Sequence, residues 1–297
     1  MTRLFLLLIS ALITVAGALA LAAFLWPLQP PTSTIPPNGD VARGAYLARM
    51  AGCIACHTNA SAGGAPLAGG LALQTDFGTF YSANLTTDGE FGIGDWTVEQ
   101  FAAAVRAGIS PGGKPYYPAF PYPFYAKFSD QDIADLWAAF RTVPPVSLPS
   151  RQPDLSFPYN FRPGLKLWRG LFLDSKPFEI NADKSSSWNR GKFIVTGPGH
   201  CGACHTPRNF AGARQVALRF HGAEGLPGGG RSPSITSARL NKAGWTMESL
   251  KYALKTGILP DGDIFGGSMG EVVRDGTSFM SDEDLTAIAT YLLDKEQ

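Results

Sequence analysis

Cys53-Ile54-Ala55-Cys56-His57 and Cys201-Gly202-Ala203-Cys204-His205 together use all four cysteines of the 297-residue chain. Cys-x-x-Cys-His is the spacing that fastens a haem covalently: two thiols add to the porphyrin vinyl groups, and the histidine that follows reaches the iron from one face. A zinc ion could take four ligands from two Cys-x-x-Cys pairs, but it has no use for a histidine directly after each pair. A thioredoxin-like pair would need a βαβ context, which neither copy has, and disulfides would leave both histidines without a role. The expectation is two covalently bound haem c groups. Cys53, Cys56, Cys201 and Cys204 are the attachment points, with His57 on the first iron and His205 on the second.

A low-spin electron-transfer haem needs a ligand on its other face, and methionine opposite histidine raises the potential. The later part of the chain offers Met247, Met269 and Met280. Met247 falls within a helix and is expected in the core, and Met280 directly precedes a helix-capping serine. Met269 lies in Gly266-Gly267-Ser268-Met269-Gly270, a glycine-rich stretch read as a loop that can lay a thioether across the haem, so Met269 is the expected sixth ligand of the second iron. The corresponding stretch of the earlier part, Tyr116-Tyr117-Pro118-Ala119-Phe120-Pro121-Tyr122, has no methionine. Met50 sits on the helix entering the motif, at the haem's edge. The sixth ligand of the first iron is unknown: Lys127, Lys114, a tyrosine, a residue of a partner and no ligand all stay open. His200 and His221 read as structural.

The elements that position these residues occur twice. Arg43-Gly44-Ala45-Tyr46-Leu47 precedes the first motif as Arg190-Gly191-Lys192-Phe193-Ile194 precedes the second. Gly94-Asp95-Trp96-Thr97 corresponds to Ala243-Gly244-Trp245-Thr246, and Ser129-Asp130-Gln131-Asp132 to Ser281-Asp282-Glu283-Asp284. This is a duplicated unit of roughly 110 residues, larger than a solenoid repeat. Thr97 and Thr246 are expected to cap helices running to Ala107 and Thr256, each followed by glycine. Ser129 and Ser281 should cap a last helix with acids in its first turn. Ile133, Leu136, Trp137 and Phe140 then share one face, as do Leu285, Ile288 and Leu292. Strand-like alternation is scarce. The expected fold class is all-α: two tandem class I cytochrome c domains after an N-terminal transmembrane helix.

From Leu4 to Trp26 the chain is apolar apart from Ser10, Thr14 and small residues. As a helix that run would reach about 35 Å, enough to cross a bilayer. An uncleaved anchor is favoured over a cleaved signal peptide, for which Ala18-Leu19-Ala20 offers a cleavage pattern, with Arg3 on the cytoplasmic side. The expected organisation is an anchor over 1–28, a proline-rich spacer over 29–40, a first domain over 41–147, a linker over 148–187 and a second domain over 188–297. The expected location is the cell inner membrane, with the haem domains in the periplasm. The formal net charge is +1 with acids and bases intermixed, which points away from nucleic acid. The linker carries Phe157, Tyr159, Phe161, Leu167, Trp168, Leu171 and Phe172, expected to pack back onto both domains. A docking surface is the sharper alternative.

These strings, with Phe77-Gly78-Thr79, Asn84-Leu85-Thr86, Cys204-His205-Thr206-Pro207-Arg208-Asn209 and Met269-Gly270-Glu271-Val272-Val273, resemble the membrane-bound multihaem cytochrome c subunits of bacterial periplasmic dehydrogenases. The resemblance covers nearly the whole chain after the spacer, although many such subunits carry three haems. Members with Pro-Ala-Met-Pro use that methionine on the first haem, whereas Phe120 stands at its place here. The resemblance implies an electron-transfer subunit, not catalytic alone, that takes electrons from a periplasmic dehydrogenase catalytic subunit and passes them to quinone or a terminal oxidase. The alternative is a haem enzyme with an open or unusually ligated first haem, peroxidase-like or thiosulfate-oxidising.

Overall fold

A computed structural model describes residues 2–25, 27–30, 32–226 and 230–295. Helix α1 runs over Thr2–Leu25. In the first repeat, α2 (Val41–Met50) leads into α3 (Cys53–His57), and α4 (Val98–Ala107), α5 (Tyr122–Tyr125) and α6 (Asp130–Phe140) follow. After α7 (Gly164–Phe172), the second repeat holds α8 (Ser186–Thr196), α9 (Ser237–Lys242), α10 (Met247–Thr256), α11 (Gly267–Asp275) and α12 (Asp282–Leu293).

The entering and final helices of each repeat cross, α2 on α6 and α8 on α12. A glycine makes each crossing close: a Cβ on Gly44 would land on the Asp135 carbonyl, and one on Gly191 on the Ala287 carbonyl. An arginine beside each glycine locks the pair. Arg43 bonds both Asp132 and Asp135, and Arg190 grips Asp284 through Nε at 2.7 Å and Nη2 at 2.8 Å. The expected apolar faces point inward, since Ile133, Leu136, Phe140, Leu285, Ile288 and Leu292 are all buried. One continuous core joins the repeats through Phe128, Phe193 and Met280.

The expected helix starts are in place. The Thr97, Ser129, Thr246 and Ser281 hydroxyls each accept a backbone N–H from three residues on, and α4 and α10 end at Gly108 and Gly257.

Two expectations need correction. The chain is not all-α. Strands β1 (Ala72–Thr75), β2 (Gly78–Tyr81) and β3 (Asp154–Leu155) form an antiparallel sheet in that order, and β4 (Ala223–Leu226) pairs with β5 (Gly230–Ser232). Thr79, Phe80 and Tyr81 suit a pleated surface, and a two-residue turn at Asp76-Phe77 pairs Thr75 with Gly78. Four-residue strands are too short for alternation to be legible in the sequence.

The second correction concerns the N-terminus: among the described residues no helix is long and apolar enough to cross a membrane. A span needs about 20 consecutive, predominantly apolar residues. Helix α1 carries Ser10 and Thr14 among its apolar residues, the Thr14 hydroxyl donating to the Ser10 carbonyl at 2.9 Å. The helix also lies against α7. The described residues therefore do not support the N-terminal transmembrane helix or the inner-membrane location built on it.

Candidate haem-binding sites

Gly52 turns the chain out of α2 in a left-handed conformation, and the first motif follows as α3, its Cys56 N–H donating to the Gly52 carbonyl at 2.9 Å. In the second repeat His200 makes the same left-handed turn. The motif there begins as a 3-10 turn over Cys201–Ala203, with the His205 N–H donating to the Cys201 carbonyl at 3.0 Å. All four cysteines are free thiols. Burial pushes the Cys53 and Cys201 thiols up to about 12, and it raises Cys56 and Cys204 as well. Among the described residues no three of His, Cys, Asp and Glu converge where a metal ion could sit, so the motifs do not combine into a four-ligand zinc site.

The two histidines are held alike. His57 Nδ1 donates to the Ala83 carbonyl at 2.7 Å, and His205 Nδ1 donates to the Pro233 carbonyl at 2.8 Å. A carbonyl can only accept, so each Nδ1 carries the proton and each Nε2 keeps a free lone pair, the arrangement an iron ligand requires. Burial lowers both pKa values and keeps the rings neutral. Two free thiols and one oriented, neutral imidazole per motif fit covalent haem.

Several residues to which the sequence reading gave no role position the motifs. Thr58 and Thr206, each next after its histidine, accept the Leu67 and Phe220 N–H groups at 3.1 and 3.2 Å, closing the loop that follows each motif. Buried Asn84 donates to the Val146 and Leu148 carbonyls at 2.8 and 3.0 Å, which fixes the segment after β2 that carries the Ala83 carbonyl. Arg208 donates to Ala203 and Gly212, tying the second motif to its loop. Ala83 and Pro233 act through backbone carbonyls, so their side chains carry no signal.

The methionines fall into distinct places. Met50 and Met280 are buried in the core, and Met269 is half-buried and packs against it. Met269 lies in the first turn of α11 rather than in a loop. Met247 opens α10 at 36% exposure, outside the core where it was expected.

At the first motif, Phe120 sits among aromatic rings, 6.0 Å from Tyr116, 6.2 Å from Tyr122 and 5.8 Å from Tyr125. Several sixth-ligand candidates are engaged elsewhere. Lys127 donates to the Lys176 carbonyl at 3.4 Å, Tyr117 to the Tyr159 carbonyl at 2.9 Å, and Tyr125 to the Ala51 carbonyl. Lys114 is exposed.

The linker packs back onto both repeats. Arg162 and Arg169 donate to the Pro115 and Ala107 carbonyls of the first repeat, and Trp168 donates to the Ala211 carbonyl of the second. Phe157, Phe161, Leu167 and Leu171 remain exposed.

Known proteins bear on the whole arrangement. The cytochrome c family matches residues 41–140. A protein described as "Diheme cytochrome c-type" from Cereibacter sphaeroides is 40% identical over 95% of this chain and 95% of its own length. The cytochrome c subunit of a quinone-dependent alcohol dehydrogenase from Gluconobacter oxydans is 42% identical, over 85% of this chain and 54% of that subunit. The cytochrome c subunit of gluconate 2-dehydrogenase from Pantoea cypripedii is 41% identical, over 85% of this chain and 58% of that subunit. The chain thus spans about half the length of these two dehydrogenase subunits.

Proposed function

The chain belongs to the dihaem c-type cytochromes and carries two covalently bound haem c groups, and from that premise we propose that it takes electrons from a dehydrogenase catalytic subunit and delivers them to a quinone or a terminal oxidase. Each bound haem supplies a one-electron iron couple. Cys53 and Cys56 hold the first and Cys201 and Cys204 the second. His57 and His205 bind the irons through Nε2, and Met269 completes the second site. The units are a first cytochrome c domain over 41–147 and a second over 188–297, joined by the 148–187 linker.

The observation that carries this reading is the identical histidine arrangement at both motifs: a ring fixed through Nδ1 to a backbone carbonyl, within a packed helical frame. Such a site is built to hold one ligand geometry in both oxidation states, as a relay requires. The named relatives that are dehydrogenase cytochrome subunits support a dehydrogenase as the donor. The test is reconstitution with a dehydrogenase catalytic subunit. Addition of that enzyme's substrate should reduce both haems in stopped-flow absorbance, with no reduction by the substrate alone. Turnover of peroxide or thiosulfate by the purified chain, without a partner, would replace this reading with that of a haem enzyme.

A further inference from the structure

The two repeats touch each other in matched pairs. Tyr46 of the first repeat meets Ser281 and Asp284 of the second, while Phe193, its counterpart, packs on Phe128 with ring centroids 6.3 Å apart. The Arg49 guanidinium lies 4.0 Å from the centre of the Phe279 ring. Lys127, at the position corresponding to Phe279, packs against the α8 end, its Cβ 3.3 Å from where a Cβ on Gly197 would lie. Reciprocity of this kind is what an approximate two-fold axis between like units produces.

Gly52 and His200 hold equivalent positions in the two repeats and approach each other. Each immediately precedes the first cysteine of its motif, and each is left-handed, with φ of 72° and 36°. The His200 Nε2 atom lies 3.5 Å from the point a Cβ on Gly52 would occupy. The imidazole is walled in by Phe124 and Tyr125, ring centroids 6.1 and 6.3 Å away, and the Tyr125 hydroxyl donates to the carbonyl of Ala51, next to Gly52. The His200 side chain fills the space between the two equivalent positions, and a Cβ on Gly52 would meet its Nε2 in ordinary van der Waals contact. Histidine at positive φ is uncommon and strained relative to glycine, so a packing role alone would be met more cheaply by glycine at both positions.

Electron tunnelling falls off steeply across gaps and less steeply along covalent bonds, so the path with the fewest and shortest gaps dominates. Cys53–Gly52 and His200–Cys201 are continuous covalent segments that meet at one packed contact. We propose that this Gly52–His200 contact is the route by which an electron crosses between the two sites, with the His200 imidazole as its bridging group. One electron moves: the donor iron is oxidised from ferrous to ferric and the acceptor iron is reduced from ferric to ferrous. No bond is made or broken and no proton is transferred. The inference rests on haem attachment at Cys53 and Cys201, and it is independent of which dehydrogenase or acceptor the chain serves.

The test uses the full-length holoprotein. Haem content and both midpoint potentials are measured first, which checks attachment separately from the route. A photoreductant then injects one electron, and the equilibration between the two haems is followed by absorbance. His200→Gly copies Gly52, relieves the backbone and removes the bridge, whereas His200→Phe keeps a ring in the contact. The expected result is exchange slowed several-fold in His200→Gly and recovered in His200→Phe, at equal driving force. Wild-type exchange in His200→Gly, or no recovery in His200→Phe, overturns the proposal.

Discussion

The Tyr46 hydroxyl donates to the Asp284 carboxylate at 2.7 Å, joining the entering helix of the first repeat to the final helix of the second. The same hydroxyl accepts the Ser281 N–H at 3.1 Å, and Asp284 also receives the bidentate Arg190. The first repeat satisfies its arginine differently, placing Asp132 and Asp135 around Arg43. Where the first repeat has Asp135 the second has Ala287, which cannot accept a hydrogen bond through its side chain. The second repeat thus keeps one of the two carboxylates that surround the arginine, Asp284, and it serves both its own arginine and the neighbouring repeat.

Tyr46→Phe removes one bond to a charged acceptor while keeping the ring. A hydrogen bond to a charged group is worth about 1.5–3 kcal/mol, so the variant should lose about 2 kcal/mol of stability. Denaturant unfolding of the holoprotein measures this as a lower midpoint. An unchanged midpoint would mean that the contact contributes nothing to holding the repeats together.

The same cluster sets a response to acid. Burial pushes the Asp284 carboxyl up, but the bonds from Arg190 and Tyr46 outweigh it and hold the group below the usual carboxylate range. Asp135 is likewise depressed: burial raises it, and bonds from the Asp40 N–H, Gln131 and Arg43 more than offset that. A carboxylate with a folded pKa below its unfolded value contributes stability that is full above the unfolded pKa and is lost as pH falls through the folded one. Stability should therefore decline below about pH 4. Asp284→Asn should be less stable at neutral pH and show a shallower acid decline. A wild-type slope in that variant would contradict the assignment.

Gly44 and Gly191 predict a second class of defect. Alanine at either position drives a methyl group into a backbone carbonyl of the crossing helix, and overpacking of this kind costs about 1–3 kcal/mol or more. Because these crossings carry the helices that enter the motifs, Gly44→Ala should lower haem incorporation at the first site before the second, and Gly191→Ala the reverse. Quantifying haem on separated proteolytic fragments distinguishes the two. Equal loss at both sites in each variant would show that the crossings do not act locally.

Local rules were legible, and rules that depend on distant neighbours were not. Thr97, Ser129, Thr246 and Ser281 could be assigned as caps because a cap needs only its own turn. The motifs were legible because covalent attachment fixes residue type and spacing. The β1–β2 hairpin escaped because its strands are short and its third strand, β3, arrives from the linker more than seventy residues later. The apolar N-terminus was judged by its run of residues, with no account of α7 beside it. Glycines around Met269 suggested a loop, yet α11 begins there; glycine's low helix propensity is a weak prior that tertiary packing overrides. The Ala83 and Pro233 carbonyls lie far from their histidines in sequence, at separations of 26 and 28 residues, and no side-chain pattern marks them.

Assigning Met269 to the second iron predicts a selective change in Met269→Leu. Leucine nearly conserves the volume, so the packing against the core should survive. The second haem should lose its sulfur-to-iron charge-transfer absorption and its potential should fall, because methionine opposite histidine is the pairing that raises it. The first haem's potential should stay where it is. Retention of the sulfur signature would move the ligand assignment to another methionine, with buried Met280 the next to substitute.

The reciprocal experiment places a methionine at the first site. The family resemblance implies that Phe120 stands where a methionine would serve the first iron, and its ring is held by Tyr116, Tyr122 and Tyr125. An unbranched, flexible thioether fits an aromatic box well, since sulfur–aromatic contacts are themselves favourable by about 0.3–1.5 kcal/mol. Phe120→Met should therefore fold, give the first haem a sulfur signature like the second, and raise its potential. It should also suppress any carbon monoxide binding at the first haem that the wild-type ferrous protein shows. An unaltered first-haem spectrum would mean that the Phe120 position does not face the iron. The difference between the two sites would then lie in the course of the 116–122 segment and not in a single residue.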